Sequence, residues 1–213
     1  MIVLGVDTCL SACSVALIDG ERVLAARSEL MARGHQERLA PLVAEVMAEA
    51  GIGFERLERI GVTVGPGSFT GLRVGLAFAK GLALALGIPC VGVGTLEALA
   101  ASPSPTGNTS REMAAAVDAK RGQVWVQAFG GGQALSEPAA LAVEEAVAAL
   151  GPLALGLLVG SGAPMLAKAG VAGEVVELEA PNPATVALLA AAVTDPRPPR
   201  PLYLRAPDAR LPS

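Results

Sequence analysis

The residues best suited to chemistry begin with a short polar segment near the start of the sequence. Asp7 and Thr8 follow the apolar residues 1–6, and Ser11 and Ser14 come soon after them. Backbone N–H groups and hydroxyls in such a turn could hold a phosphate, and the carboxylate could hold Mg²⁺ through water. The alternative is an ordinary turn at the end of a strand, capped by short polar side chains.

A second charged turn lies in the other half of the sequence, at Asp118, Lys120 and Arg121. A kinase would need a catalytic aspartate here, together with a glycine-rich pocket for adenosine. The Gly-Ser-Gly segment at 160–162 offers only a thin version of that pocket. A solvated hairpin is the alternative interpretation.

The segment GPGSFTGLR, residues 65–73, resembles a phosphate loop but matches neither common motif. A P-loop ends in Gly-Lys-Ser or Gly-Lys-Thr, which this segment lacks, and the third glycine of the GxGxxG fingerprint comes one position too late. Ser68 is still a good N-cap, and a helix N-terminus can bind anions without any special motif.

His35 is the single histidine of the sequence. A zinc peptidase of the HExxH type needs a second histidine four residues later, where Leu39 stands. A serine hydrolase needs a GxSxG segment, which the sequence does not contain. We therefore expect His35 to be a surface or interface residue near the start of a helix, and neither a catalytic base nor a metal ligand.

The composition narrows the classes of partner. The chain has 213 residues, is 52% hydrophobic and carries a net charge of −4, so we expect a folded core and little direct attraction to nucleic-acid phosphates. Three cysteines without a CxxC pair indicate reduced thiols. There is no basic segment of a signal peptide, and Lys80 interrupts the apolar stretch 74–89. We expect a cytoplasmic protein without membrane contact, and a solvated tail over 196–213 unless its arginines touch RNA.

Hydrophobic periodicity predicts alternating strands and helices. Strands are expected at 1–6, 14–18, 23–26, 60–64, 90–93, 113–117, 123–129, 155–159 and 175–178, and helices at 35–50, 69–86, 95–101, 144–150, 165–169 and 183–193. The segments LGVDTCLSACSVALI and AAVDAKRGQVWVQAF share a strand–Asp–turn–strand order, which indicates an internal repeat. The predicted fold is α/β with mixed sheets, divided at a linker over 102–110 into subdomains at 1–101 and 102–195 and a Pro/Arg-rich tail at 196–213.

The helix expected at 69–86 has a stripe of small residues. Gly71, Gly75, Ala79 and Ala83 recur every fourth position, so another element can approach closely along this face. The rest of the helix is apolar nearly all round and must be covered on several sides. Either the chain covers it internally, or another subunit covers one face together with the amphipathic helix 35–50.

Several segments together resemble the TsaB (YeaZ) family, the small partner subunits in bacterial synthesis of N6-threonylcarbamoyladenosine on tRNA. The matching pieces, in the order of the family, are LGVDTCLSACSVAL, GHQERLAPLVAEVMAEAGI, VTVGPGSFTGLRVGLAFAKGLALALGIPCVGVGTLEALA, VDAKRGQVWV and PLYLRAPDA. The block GPGSFTGLR is the most specific of them.

The resemblance implies a duplicated fold of the actin, Hsp70 and sugar-kinase class with two subdomains. It implies a non-catalytic scaffold that binds and activates the catalytic subunit TsaD, with the ATPase TsaE joining the complex and tRNA contacted mainly through the complex. The isolated chain is expected to form a homodimer. No cofactor is required by this chain, since ATP or ADP and metal are expected on partner subunits or at the joint between them. The alternative is a stand-alone nucleotide-dependent phosphotransferase or ATPase of the same fold, using Asp7 and Asp118.

The resemblance also implies where partners bind, because in the family the helices matching 35–50 and 69–86 pack against the same helices of a second subunit. The implied interface residues are His35, Arg38, Leu39, Leu42, Val43, Val46, Thr70, Gly71, Arg73, Val74, Gly75, Phe78 and Leu82. The implied remnants of a nucleotide loop are Asp7, Thr8, Ser11 and Asp118.

Overall fold

The first half of the chain forms a five-stranded mixed sheet. The structure is a computed structural model that describes residues 1–103 and 111–204, so most of the expected linker and the last nine residues lie outside the described part. The strands of this sheet are β1 (Ile2–Asp7), β2 (Ala12–Asp19), β3 (Arg22–Leu30), β4 (Arg59–Thr63) and β5 (Cys90–Val93). Their order is β3-β2-β1-β4-β5, with β1 antiparallel to β2 and parallel to β4.

The second half builds a sheet with the same plan. Its strands are β6 (Met113–Asp118), β7 (Gln123–Gly130), β8 (Gln133–Ala134), β9 (Ala139–Ala142), β10 (Leu157–Val159) and β11 (Glu174–Val176). The order is β11-β10-β6-β7-β8, with β9 also paired to β7. Strand β6 is antiparallel to β7 and parallel to β10, as β1 is to β2 and β4. The predicted internal repeat is therefore present, and Asp7 and Asp118 end equivalent strands.

Six α-helices surround the two sheets in the part of the chain that is described. They are α1 (His35–Ala50), α2 (Phe69–Leu86), α3 (Thr95–Ala101), α4 (Val143–Leu150), α5 (Ala163–Lys168) and α6 (Pro183–Ala192). A short 3₁₀ helix at Phe54–Arg56 and strands β8 and β9 were not expected from the sequence. The other elements lie where the periodicity predicts them, within two residues, except that β3 ends four residues later than expected.

Helices α1 and α2 cover one face of the first sheet. Side chains alternate between the faces of a strand, so Leu4 and Val6 of β1 join the core beneath these two helices, whereas Val3 joins the core beneath α6. Pro41 lies within the first two turns of α1, which remains one continuous helix. The pair α1 and α2 thus presents its outer face to solvent.

Helix α6 lies on the opposite face of the first sheet, although it comes from the second half of the chain. Glycines on the two central strands allow this contact. A Cβ at Gly5 would lie 2.5 Å from the Pro183 carbonyl oxygen, and one at Gly61 would lie 2.5 Å from Ala190 Cβ. Arg59 binds the C-terminal end of α6, where its Nη1 donates to the carbonyls of Ala190 and Val193, both at 2.7 Å. The first sheet is therefore covered on both sides.

Residues 196–204 form no helix or strand, and they are not the solvated tail that we expected from the sequence. Pro199 is buried, with its Cβ 3.1 Å from the place a Cβ would take at Gly92. The Leu202 N–H donates to the Val64 carbonyl at 2.7 Å. The segment is therefore attached to the first sheet beside the start of α2. Arg205, Asp208 and Arg210 lie outside the described residues.

Candidate partner-docking surface

The first candidate chemical residue, Asp7, is fully buried at the end of β1. Its Oδ1 accepts hydrogen bonds from Thr63 Oγ1 at 2.6 Å and from the Cys9 N–H at 3.1 Å. Its Oδ2 has no partner among the residues that the structure describes. Burial therefore raises the pKa of Asp7 to about 6, and the two hydrogen bonds oppose that rise only in part. The side chain is enclosed in the core.

The loop after β1, at Thr8 and Cys9, packs directly against the start of α2, at Ser68 and Gly71. Thr8 Oγ1 donates to the Gly71 carbonyl at 2.7 Å, and the Ser68 N–H donates to the Cys9 carbonyl at 2.7 Å. Ser68 caps α2, as predicted, by accepting from the Gly71 N–H at 3.3 Å. The space in which a phosphate would meet the helix N-terminus holds the chain's own backbone.

The second charged turn also satisfies itself. Asp118 accepts from the Lys120 N–H at 2.7 Å and from Lys120 Nζ at 2.8 Å, which holds the pKa of this carboxyl below its usual range. The Asp118 N–H donates to Ser161 Oγ at 3.2 Å, and Gly160 lies against the Ala116 carbonyl. The sequence also implied that Asp7, Thr8, Asp118 and the exposed Ser11 are remnants of a nucleotide loop. This interpretation stays a prediction.

The small-residue stripe of α2 faces inward. A Cβ at Gly75 would lie 2.5 Å from Thr8 Oγ1, and one at Gly71 would overlap the Thr8 carbonyl. Ala79 and Ala83 are buried as well. Of the two interpretations of the stripe, internal cover is therefore the correct one. Gly71 and Gly75 can serve an interface only by fixing the helix that carries it.

Four other residues of the implied interface belong to the core. They lie on the inner side of α1 and are at most 1% exposed: Leu39, Leu42, Val43 and Val46. Arg38 is half-buried and already bound, because it donates to Glu29 at 2.6 Å and to Glu45 at 2.7 Å. His35 is half-buried at the start of α1, and its Nε2 has no partner within the described ranges. The available interface is thus narrower than the implied one.

A groove remains between the first halves of α1 and α2. The larger of two adjoining cavities has a volume of about 530 Å³ and is lined by Gln36, Leu39, Phe69, Thr70, Arg73, Val74, Ala77 and Phe78. The second, of about 300 Å³, lies at residues 32–37 and shares Gln36, Thr70 and Val74 with the first. We call this pair of cavities the α1–α2 groove. The lining of the larger cavity is mainly apolar, that of the smaller one is mainly polar, and both open to solvent.

The outer face of α2 continues the apolar surface. Leu84 is 85% exposed, Ala77, Gly81 and Ala85 are exposed, and Leu82 is half-buried. Only 33% of this 18-residue helix is buried, and by length and composition alone it would suffice to cross a membrane. Its glycine face, however, is packed on the chain's own sheet. An exposed apolar face of this extent on a packed helix is typical of a protein–protein contact site.

The sequence reasoning missed one contributor to this surface. Tyr203, from the C-terminal segment, lies over the start of α2, with its ring centroid 5.4 Å from that of Phe69. Arg73 stacks on Phe69 and its Nε donates to the Tyr203 hydroxyl at 3.3 Å. Residues 130 positions apart meet here, so periodicity and local motifs gave no signal for the contact.

Comparisons with known proteins give a matching family model and several relatives. A family model described as TsaD: tRNA N6-adenosine threonylcarbamoyltransferase matches residues 27–193. The tRNA threonylcarbamoyladenosine biosynthesis protein TsaB of Escherichia coli (strain K12) is 37% identical over 125 residues, which are 59% of this chain and 53% of that protein. The match thus spans about half the length of this relative. An uncharacterized protein of Mycobacterium tuberculosis (strain ATCC 25618 / H37Rv) is 35% identical over 98% of this chain and 93% of its own length.

Solved structures agree with the fold. A Pseudomonas aeruginosa protein, described as uncharacterized with similarity to peptidase YEAZ, is 26% identical with a TM-score of 0.80, covering 96% of this chain and 99% of that one. Component A of (R)-2-hydroxyglutaryl-CoA dehydratase from Acidaminococcus fermentans, 10% identical, has a TM-score of 0.59 over 89% of this chain and 97% of its own. The fold is of the actin and sugar-kinase class, as predicted.

Proposed function

We infer the function from one premise: the chain belongs to the family whose model is described as TsaD: tRNA N6-adenosine threonylcarbamoyltransferase. We propose that it is a TsaB-type, non-catalytic subunit in the synthesis of N6-threonylcarbamoyladenosine on tRNA. In this role it binds a TsaD-like catalytic paralogue and holds it in an active form, and a TsaE-like ATPase joins the complex. It works in the cytoplasm, forms a homodimer when isolated, and contacts tRNA mainly through the complex.

The exposed α1–α2 groove, with the outer face of α2, is the observation that carries this proposal. A protein–protein interface needs a central apolar patch from which water is excluded on binding, with polar groups at its edge. Phe78 and Val74 are only half-buried at the groove, and Thr70 and Arg73 stand at its exposed edge. The groove therefore supports docking of a second protein on the helices that the family resemblance points to.

The surroundings of the chemical residues support a non-catalytic role. Asp7 is sealed in the core, and Asp118 is bound by Lys120. Leu39 stands one helical turn after His35 and is 1% exposed, so the position of a second metal ligand belongs to the core. We accordingly propose that this chain needs no cofactor and that ATP or ADP and metal are bound by partner subunits or at their joint.

A stand-alone phosphotransferase or ATPase of the same fold is the alternative. The equivalent placement of Asp7 and Asp118 in the two repeats favours it. The mutually filled loops at Thr8 and Gly71 weaken it, because a nucleotide phosphate would have to displace hydrogen-bonded backbone. The non-catalytic subunit is therefore the better-supported function.

Reconstitution tests the proposal. Threonylcarbamoyl transfer to tRNA would be measured with the TsaD-like paralogue, the TsaE-like ATPase, ATP and threonylcarbamoyl-adenylate, with and without this protein. We expect transfer to require this protein, and we expect the protein with tRNA and substrates alone to give none. The Asp118→Ala variant should support transfer as well as the wild type does. Equal transfer without the protein would refute the subunit role, and ATP turnover by the pure protein that is lost in Asp118→Ala would support the alternative.

A further inference from the structure

Three exposed side chains form a single unit at the mouth of the α1–α2 groove. The Arg73 guanidinium carbon lies 3.6 Å from the centroid of the Phe69 ring, and the Phe69 and Tyr203 rings are 5.4 Å apart. Arg73 Nε donates to the Tyr203 hydroxyl at 3.3 Å. We call these three residues the aromatic–arginine corner. It combines a cation–π contact with a hydrogen bond, which fixes the direction of the guanidinium.

The corner is held from both sides. Phe69 and Arg73 lie on the first turns of α2, which Ser68 caps. Tyr203 is held through its neighbour, because the Leu202 N–H donates to the Val64 carbonyl and the Leu202 carbonyl lies 2.6 Å from a Cβ built at Gly65. The C-terminal segment is therefore part of the docking surface and not an appendage beside it.

The corner stays open to solvent although its residues are costly to expose. Phe69 is 36% exposed and Tyr203 is 43% exposed, in a chain with four Phe, one Tyr and one Trp. Tyrosine and arginine are the residue types that most often dominate binding energy at interfaces. None of the ion pairs found among residues 1–103 and 111–204 involves Arg73, so its terminal nitrogens can donate to a new partner.

The charges on the two helices indicate what that partner carries. Helix α2 has two cations, Arg73 and Lys80, and no acidic residue. On α1, Glu45 is bound by Arg38, and only Glu37 lies outside the ion pairs found within the described ranges. Two copies docked through their α2 faces would bring like charges together, which is unfavourable. An acidic face on a different protein fits the corner better than a second copy does.

We propose that the aromatic–arginine corner determines partner specificity: Arg73 pairs with a carboxylate of the TsaD-like paralogue, and Tyr203 is a positioning residue that aims Arg73. This rests on the proposed function, since the paralogue is the partner named there. The C-terminal segment thereby makes the docking surface selective, whereas the groove supplies the apolar contact.

Binding of the full-length protein to the TsaD-like paralogue tests the proposal, measured by calorimetry at low and at high salt. The variants are Arg73→Ala, Tyr203→Phe and, as a matched control, Arg56→Ala on the exposed 3₁₀ helix. We expect Arg73→Ala to weaken binding at least about tenfold and to flatten its salt dependence, because an interfacial ion pair is lost. Tyr203→Phe keeps the ring stack and the Arg73 charge, so it should give a smaller loss of affinity and a smaller flattening of the salt dependence. Arg56→Ala should bind as the wild type does.

The outcomes separate this inference from the proposed function. If Arg73→Ala binds the paralogue with the same affinity and the same salt dependence as the wild type, the role of the corner is overturned and the subunit role stands. Loss of self-association in Arg73→Ala, with paralogue binding intact, would overturn the choice of occupant in favour of a second copy. Absence of wild-type binding would overturn both proposals. Circular dichroism is the control for folding, and the variants should give the wild-type spectrum because the substituted residues are exposed.

Discussion

Replacing Asp7 by Asn tests the reasoning about the sealed loop most sharply. The folded protein holds this carboxyl without a cation and with Oδ2 unpartnered among the described residues. Asn keeps an oxygen that can accept from Thr63 Oγ1 and from the Cys9 N–H, but it carries no charge. We expect Asp7→Asn to stabilise the protein at neutral pH, because a buried charge is removed while both hydrogen-bond donors keep an acceptor.

The magnitude follows from the pKa. Burial raises the pKa of Asp7 from 3.8 in the unfolded chain to about 6 in the fold. The folded state therefore keeps a proton that the unfolded state has released, so stability falls as the pH rises from the lower value to the upper one. The loss of stability is absent at a pH below the unfolded-state pKa and complete at a pH above the folded-state pKa. At about 1.4 kcal/mol for each pH unit between them, it reaches about 3 kcal/mol.

Urea unfolding of wild type and Asp7→Asn from about pH 5 to pH 8 measures this directly. The stability difference between the two should grow by roughly 1 kcal/mol over that range in favour of the variant, whatever constant offset the amide introduces. Asp118→Asn is the matched control. The pKa of Asp118 is lowered, so its contribution changes only in more acidic solution and its difference should stay flat. A difference for Asp7→Asn that is also flat would refute the account of a desolvated, unpaired carboxylate.

Three further predictions concern the scaffold. Gly75→Ala should lower the free energy of unfolding by about 1–3 kcal/mol, because its Cβ would press on Thr8 Oγ1, whereas Gly81→Ala, with open space around it on the same helix, should raise it by up to about 1 kcal/mol; equal effects in chemical denaturation would contradict this packing. Arg59→Ala should cost about 1–3 kcal/mol, since the carbonyls at the end of α6 lose their charged donor, and an unchanged thermal midpoint would refute it. Burial raises the pKa of the Cys9 thiol to about 12, so Cys9 should react with a disulfide reagent at pH 8 only after unfolding; fast labelling of Cys9 in the native protein would be inconsistent with this environment.

The sequence predicted the elements and the repeat well because both depend on local patterns. Strands β1 and β6 are both apolar runs that end in Val-Asp, and an antiparallel strand follows each of them. The helix stripe at Gly71 and Gly75 was also visible, but periodicity alone does not say which element occupies a smooth face. The occupant is the loop at Thr8, and that could be decided only with the sheet register in hand.

The contacts that the sequence could not give join distant segments. Tyr203 meets Arg73 across 130 positions, and Arg59 meets the end of α6 across a similar separation. The interface implied by family resemblance likewise mixed core residues with exposed ones, because an amphipathic pattern marks the buried side of a helix. Leu39 and Val43 belong to that side. Exposure in the fold selects Thr70, Arg73 and Phe78 as the residues that a partner can reach.

The most direct test of the central claim fills the α1–α2 groove. Ala77 lines the groove and is exposed, so Ala77→Arg should fold normally while blocking the docking surface. Ala148→Arg makes the same change at an exposed position of α4 and serves as the control. The measurement is the rate of threonylcarbamoyl transfer to tRNA by the TsaD-like paralogue and the TsaE-like ATPase with each variant. The account predicts transfer near the level without this protein for Ala77→Arg and full transfer for Ala148→Arg; full transfer with both variants would contradict it.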